Sequence, residues 1–303
     1  MIHGLVVVNK EKGLSSHAVV ARLRIIFGIK KVGHFGTLDP AATGILLAGL
    51  GQATRFFDYY SKKEKVYSGI IRFGYATSTY DAEGKPLSEK KPIDLHRLQG
   101  LEEILARFVG PQQQLPPPYS AKKHKGRPLY AYARSNREVE LKPNRIEIYR
   151  LETQIVDRDA LHFEAVTSSG TYIRSLAHDI GQQVGVGAFL EELRRDRIGQ
   201  FTERDAFTLE EIRQHVEDDQ LAKVVHPIEI LLDEFPKLIV SPEGRRFITN
   251  GLAVQKNQVQ KIFPAASNEF FRLFDDKGQL LAIARRDDDS QTFKPHIVFP
   301  EET

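Results

Sequence analysis

A histidine and an aspartate lie five residues apart in a stretch that contains three glycines. The stretch runs Gly33-His34-Phe35-Gly36-Thr37-Leu38-Asp39-Pro40-Ala41-Ala42-Thr43-Gly44. Glycine permits backbone conformations that other residues avoid, so the chain is expected to turn sharply here and to approach another group closely. A carboxylate in such a turn can act as a nucleophile or as an acid–base group. A structural interpretation stays open, because Asp39 before Pro40 is also a typical helix start.

The composition excludes several other chemistries. The chain has no cysteine, which excludes disulfides, thiolate catalysis and cysteine-ligated metals, and a reducing cytoplasm is the expected location. Gly185-Val186-Gly187 begins like a dinucleotide-binding loop, but the third glycine position is Leu190. The acidic run Asp287-Asp288-Asp289 is interpreted as a solvated loop. We therefore expect neither a cofactor nor a metal.

Charge distribution favours a globular protein with a polyanionic partner. The chain has 303 residues, 41% hydrophobic and 27% charged, with a formal net charge of +3 and a pI near 8.9. No apolar run is long enough to cross a bilayer. Between Tyr119 and Arg150, nine lysines and arginines stand against three glutamates and are interleaved with tyrosines. This mixture suits phosphate neutralisation and base stacking, although a solvated charged hairpin is equally compatible with it.

Hydrophobic periodicity predicts strands and helices around the glycine-rich stretch. Residues 3–8 predict a buried strand, and a helical pattern follows that Gly28 ends. Alternation predicts a further strand over Lys65–Tyr75. Asn144–Asp157 and Ala160–Thr167 predict a β-hairpin.

Three segments farther along the chain also carry expectations. Asp94 predicts the start of a helix through about Phe108, and a second helix is expected to run from the Gly170 region to about Val184. Gln112–Ala121 predicts a stiff polyproline-like segment, for which a proline-rich ligand of a peptide-binding domain is the alternative.

The motifs resemble those of one enzyme family. The glycine-rich stretch resembles the active-site motif of the bacterial tRNA pseudouridine-55 synthases, the TruB family, which act on uridine 55 of the tRNA T-loop. The resemblance extends to Lys65-Val66-Tyr67 and Tyr172-Ile173-Arg174. It implies an α+β fold with a pseudouridine-synthase-type mixed, mainly antiparallel sheet flanked by helices, plus a small C-terminal β-barrel (PUA-like) domain.

The same resemblance implies a division of the chain. Residues 1–235 would form the catalytic domain, with a basic thumb-like insertion at about 112–146 that clasps the RNA. Residues 236–303 would form the PUA-like RNA-binding domain. No cofactor and no metal would be needed, because turning uridine into pseudouridine is an isomerisation.

The resemblance also implies roles for individual residues. Asp39 would be the catalytic carboxylate, Arg174 the cation that pairs with it and favours its ionised form, and Tyr67 would stack on the base and remove a proton. The target uridine would have to leave its stack to react. The positions expected to bind substrate are His34, Tyr67, Tyr172, Leu193 and Lys123. Phe35, where relatives commonly have a small residue, could crowd the RNA contact of His34.

Other functions remain open from the sequence. The leading expectation is a cytoplasmic, stand-alone enzyme that acts as a monomer on the T-arm and loop of tRNA, with no obligatory protein partner and no membrane. The alternatives are a guide-RNA-dependent pseudouridine synthase subunit and a non-catalytic tRNA-binding or tRNA-folding protein. A glycosidase would need a second carboxylate about 5 Å from Asp39, for which the sequence offers no candidate.

Overall fold

A mixed sheet of eight strands forms the largest part of the structure. The structure is a computed structural model, and it describes residues 2–120, 123–124, 127–128, 132, 141–228, 232–287 and 289–299. At 123–124 and 127–128 it describes the backbone only. The first ten strands, of which β6 and β7 form a separate hairpin, are β1 (Gly4–Lys10), β2 (Val32–His34), β3 (Thr43–Leu50), β4 (Lys65–Phe73), β5 (Gly110–Gln114), β6 (Lys123–His124), β7 (Arg127–Pro128), β8 (Asn144–Asp157), β9 (Ala160–Thr167) and β10 (Ala188–Ile198).

The order of the strands brings two distant segments together. The sheet runs β1-β3-β10-β4-β9-β8-β5, and β2 pairs with β3. The pairings are antiparallel except between β3 and β10, where Thr43 lies opposite Arg194 and Gly44 opposite Arg195. This parallel junction places the glycine-rich stretch beside β10. The predicted α+β fold with a mixed, mainly antiparallel sheet is confirmed.

Helices cover the sheet on both sides. They are α1 (Ser16–Ile26), α2 (Phe57–Ser61), α3 (Leu101–Ala106), α4 (Ile173–Val184), α5 (Leu209–Glu217) and α6 (Leu221–Val224). Strand β1 shows why the sequence there is a continuous apolar run: Val6 and Val8 pack toward α1, while Leu5 and Val7 pack into the core on the opposite face. A strand buried on both faces needs apolar residues at every position. Each such burial contributes about 1.5–3 kcal/mol.

Two expectations from the sequence are wrong in detail. The helix predicted from Asp94 to Phe108 is divided, because Gly100 adopts φ of +76° and separates a 3₁₀ turn (Leu95–Arg97) from α3. The polyproline-like segment begins as strand β5, which pairs with β8. The hairpin of β8 and β9 and the end of α4 at Val184 lie where the sequence predicts them.

The C-terminal region forms a second sheet. Its elements are β11 (Lys237–Val240), α7 (Pro242–Thr249), β12 (Val259–Phe263), β13 (Phe271–Phe274), β14 (Leu280–Asp287) and β15 (Thr292–Val298), with strand order β12-β11-β13-β14-β15. Strand β12 is mostly exposed, and its sequence, Val-Gln-Lys-Ile-Phe, lacks the alternation of apolar and polar residues that predicts a strand. No helix within the part of the chain that the structure describes is long and apolar enough to cross a membrane.

The second sheet packs firmly against the first. The rings of Phe56 and Phe299 stack at 6.2 Å, and Tyr59 meets Phe235 edge-to-face at 5.2 Å. The guanidinium of Arg55 donates a hydrogen bond of 2.8 Å to the carbonyl of Val298. These residues belong to or adjoin one apolar cluster that both sheets share.

The β3–β10 junction depends on a glycine, which gives a test of the fold. Gly44 has φ of +95°, and a Cβ there would lie 2.3 Å from the carbonyl oxygen of Arg195. We expect Gly44→Ala to lower the free energy of unfolding by more than about 2 kcal/mol, measured by urea denaturation. Gly13→Ala is the matched control, because Gly13 has φ of +91° with nothing within 4 Å and should lose only about 1 kcal/mol. Equal losses would contradict the close approach.

Candidate active site

Asp39 lies in a tight turn just before β3. The backbone N–H of Ala42 donates to the carbonyl of Asp39 at 3.1 Å, and residues 40–42 pass directly into the strand. Interpreting Asp39-Pro40 as a helix start is therefore wrong. The turn leaves the Asp39 side chain 37% exposed, so this carboxylate can reach a ligand.

Two residues near the N-terminus hold the Asp39 turn. The hydroxyl of Ser16 donates to the carbonyl of Leu38 at 2.9 Å and accepts from the Leu38 N–H at 2.8 Å. The buried ammonium of Lys10 donates to the carbonyl of Pro40 at 3.3 Å. Burial lowers the pKa of Lys10 to about 8, although the negative charge of Asp39 opposes that shift.

Arg195 holds the same loop from β10. Its guanidinium is buried and donates to three backbone carbonyls, at 3.2 Å to Gly36, 3.2 Å to Thr37 and 2.8 Å to Ile45. A guanidinium presents its donors in one plane, so one side chain can fix several carbonyls of a loop at once. The loop geometry therefore depends on the parallel pairing that places Arg195 beside it.

The predicted ion pair between Arg174 and Asp39 is present. Nε of Arg174 lies 2.9 Å from one carboxylate oxygen, and Nη2 lies 3.3 Å from the other. The Arg174 side chain is only 8% exposed. A hydrogen bond to one carboxylate oxygen, together with a charge contact to the other, fixes the orientation of the carboxylate more tightly than one charge contact does. Asp39 thus has one fixed side toward Arg174 and one open side.

The structure shows further partners of Arg174 that the sequence analysis did not single out. Nη1 donates to the carbonyl of Thr79 at 3.1 Å and lies 3.3 Å from the carboxylate of Asp81, while Nη2 donates to the carbonyl of Tyr119 at 2.8 Å. No local spacing in the sequence relates Asp81 to Arg174. Its pairing depends on the fold alone.

A cavity of about 340 Å³ opens in front of Asp39. This size falls within the range of small-molecule sites. Its lining brings together most of the residues that the resemblance singled out. They are Asp39, Tyr67, Tyr172, Arg174 and Leu193, joined by Gly36, Thr37, Leu38, Ser61, Lys65, Ser120, Gly170, Thr171, Ile173 and Arg195.

Cations and aromatic rings give this cavity its character. Lys65 is buried and donates to two backbone carbonyls, and burial lowers its pKa to about 8. Burial also raises the pKa of the Tyr172 phenol, which therefore stays neutral at physiological pH. The side-chain amide of Gln114 binds both the N–H and the carbonyl of Tyr172. Strand β5, which carries Gln114, thus fixes the start of α4.

Of the five expected substrate-binding positions, Tyr67, Tyr172 and Leu193 line the cavity, and the other two are His34 and Lys123. His34 is not part of its described lining, and its ring packs edge-to-face on His17 at 5.3 Å. The side chain of Lys123 lies outside the part of the chain that the structure describes. Phe35, the residue beside His34, is buried in the core, where its ring stacks on Tyr60 at 5.6 Å.

Comparison with known proteins agrees with this geometry. The family model described as TruB family pseudouridylate synthase (N terminal domain) matches residues 24–173, and the tRNA pseudouridylate synthase B C-terminal domain matches residues 174–233. A protein named tRNA pseudouridine synthase B from Solibacter usitatus is 43% identical over 82% of this chain and 84% of its own length. A protein of the same name from Streptococcus pneumoniae is 37% identical over 98% of this chain and 100% of its own length.

Solved structures share the fold. A chain of a Cbf5-Nop10-Gar1 complex aligns at a TM-score of 0.71 and 25% identity, over 99% of this chain and 84% of its own length. A chain of an H/ACA RNP bound to a substrate RNA containing 2′-deoxyuridine aligns at a TM-score of 0.72 and 22% identity, over 98% of this chain and 85% of its own length. Fold and cavity together define the pseudouridine synthase class. Within that class the chain belongs to the TruB family.

The role of Arg195 in holding the loop can be tested by stability. We expect Arg195→Gln to lower the free energy of unfolding by about 2–4 kcal/mol, because three carbonyls lose a charged donor. Arg194→Gln is the matched control: that side chain is about one-third exposed and pairs with Asp196 and Glu203, so its loss should stay within about 1 kcal/mol. Urea denaturation measures both. Similar losses in the two variants would contradict the anchoring role.

The half-buried imidazole of His34 makes stability depend on pH. Its Nδ1 is buried without a partner among the described residues, and burial, with smaller effects of His17 and Arg195, lowers its pKa from 6.5 to about 4. Between these two values the unfolded chain binds a proton that the folded chain resists, so the free energy of unfolding falls as the pH falls. His34→Asn should remove that part of the slope, whereas His96→Asn, on an exposed side chain, should keep it. Urea denaturation across this range provides the measurement; an unchanged slope in His34→Asn would contradict the lowered pKa.

Proposed function

We propose that this protein isomerises uridine to pseudouridine at position 55 in the T-loop of tRNA. The observation that carries the proposal is the Asp39 carboxylate, fixed on one side by Arg174 and open on the other to a cavity lined by Tyr67 and Tyr172. Relatives named tRNA pseudouridine synthase B, 35–43% identical to this chain, supply the substrate class.

The reaction breaks the C–N glycosidic bond, turns the base and forms a C–C bond from the same atoms. It needs neither a redox partner nor a group donor. The uridine must first leave its stack, and a cavity of about 340 Å³ with aromatic walls suits one extruded base. We assign Tyr67, Tyr172 and Leu193 to the walls that hold this base.

Each residue at the cavity has a distinct proposed role. The exposed side of Asp39 acts as the nucleophile, or assists loss of the base, while Arg174 keeps the carboxylate oriented and charged. The Tyr67 side chain is buried, and it lines the cavity that would take the base. Its ring would stack on the base, and its hydroxyl is the proposed group that takes up the proton when the ring becomes aromatic again.

The RNA would contact several parts of the chain. We propose that residues 1–235 form the catalytic domain, that the basic insertion at about 112–146, with Lys123, clasps the T-arm, and that residues 236–303 form a PUA-like RNA-binding domain. His34 would support the flipped conformation of the RNA. The second sheet and its shared apolar cluster support a fixed position of that domain against the catalytic sheet.

The enzyme is proposed to act in the cytoplasm as a monomer, without guide RNA or protein partner. Chains from H/ACA complexes share the fold at 22–25% identity, whereas the relatives named tRNA pseudouridine synthase B are more similar, at 35–43%. A non-catalytic protein would have no need of an Asp39 carboxylate that is both fixed and exposed.

The test is incubation of the purified protein alone with an unmodified tRNA transcript, followed by mapping of pseudouridine along the RNA. We expect one modified site, at position 55. Asp39→Asn should slow the reaction by at least about 10⁴-fold, the scale on which loss of a nucleophile slows other enzymes, while tRNA affinity stays within about twofold. Asp218→Asn, at an exposed carboxylate, is the control and should keep full activity. Activity that survives in Asp39→Asn, or appears only with an added guide RNA, would contradict the proposal.

A further inference from the structure

The loop of residues 79–81 contacts the guanidinium of Arg174, and Tyr80 lies at its centre. Thr79 and Asp81, which both contact Nη1 of Arg174, are the two neighbours of Tyr80. Their carbonyl and carboxylate can reach the same guanidinium nitrogen only if the backbone between them turns sharply. The conformation at Tyr80 therefore determines whether both contacts form.

Tyr80 occupies an unusual backbone conformation. Its φ is +65°, in the left-handed region that residues other than glycine adopt rarely. Backbone hydrogen bonds join the loop to β10: the N–H of Leu190 donates to the carbonyl of Tyr80 at 3.0 Å, and the N–H of Ala82 donates to the carbonyl of Leu190 at 3.0 Å. A non-glycine residue at this φ needs compensating contacts elsewhere.

The side chain of Tyr80 supplies such a contact. Its ring stacks on the imidazole of His178, with centroids 3.7 Å apart and planes at 10°. His178 follows Arg174 by four residues in α4, so both side chains lie on one face of that helix. The Nδ1 atom of His178 is buried without a hydrogen-bond partner among the described residues, which leaves stacking as the described interaction of this ring.

We propose that the Tyr80–His178 stack is a clamp that positions Arg174, and through it the Asp39 carboxylate, for the reaction. Helix α4 presents Arg174 to the polar groups of the loop and His178 to its aromatic ring, so the loop is held at two points one helical turn apart. Tyr80 and His178 are positioning residues, because the structure places neither in the cavity lining. The expected effect of the clamp on the reaction rate rests on the proposed function, whereas its effect on the structure of the loop does not.

Four variants separate the ring from the backbone. Tyr80→Phe keeps the ring, Tyr80→Gly removes it while relieving the unusual φ, His178→Ala removes the other half of the stack, and the fourth variant combines Tyr80→Gly with His178→Ala. Gln182→Ala, one turn farther along α4 at an exposed position, is the control.

Single-turnover rates and tRNA affinities give the decisive comparison. We expect Tyr80→Gly and His178→Ala each to lower the rate by about 10-fold to 100-fold, since small misplacements of catalytic groups have effects of this size. In these variants the affinity for tRNA should stay within about twofold of the wild-type value. The double variant should react no more slowly than the slower of the two single variants, because both remove the same stack. Tyr80→Phe and the Gln182→Ala control should react like the wild type. Additive effects, loss through affinity alone, or Tyr80→Phe as slow as Tyr80→Gly would overturn the clamp.

Hydrogen exchange tests the clamp without any reaction. In the RNA-free protein, His178→Ala should speed amide exchange in residues 77–84, while Gln182→Ala should not. An unchanged exchange rate in residues 77–84 of His178→Ala would overturn the clamp, regardless of the catalytic rates of the variants. A wild-type protein with no activity on tRNA would instead contradict the proposed function, and this exchange experiment would still decide about the clamp.

Discussion

The ion pair between Arg174 and Asp39 is the interaction on which the site depends. A buried guanidinium loses much of its hydration, and this loss is offset only when its donors are paired well. Arg174 donates to two carboxylates and two backbone carbonyls, so its charge and geometry are largely satisfied within the protein. Asp39 is the only one of these partners that also lines the cavity in front of the pair. The open side of its carboxylate is thereby presented in a fixed orientation.

The surrounding fold serves to hold the two ends of this pair. Asp39 lies in a turn that β1, α1 and β10 anchor through Lys10, Ser16 and Arg195. Arg174 is the second residue of α4, whose start is bound to β5 through Gln114. Segments far apart in sequence therefore meet at the one parallel junction of the large sheet. We expect such a preorganised site to rearrange little when a nucleotide enters.

Local sequence predicted some parts of this arrangement and not others. The hairpin of β8 and β9 and the course of α4 follow from alternation and helical spacing, which are local properties. Asp39 and Arg174 were identified through motif resemblance, and their contact agrees with it. The sequence does not mark the roles of Asp81, Arg195 and Lys10, because their partners lie far away in the chain or are backbone carbonyls that belong to no motif. The broken helix near Gly100 was missed because a helical apolar pattern outweighed one glycine.

The most direct test of the central claim is a crystal structure of the protein with a tRNA T-arm stem-loop. We expect one uridine extruded into the cavity, its base against Tyr67 and its reacting atom about 3–3.5 Å from the Asp39 carboxylate, with the Arg174 pair intact. A uridine that remains stacked in the loop, or a bound RNA with Asp39 turned away from both Arg174 and the nucleotide, would contradict it.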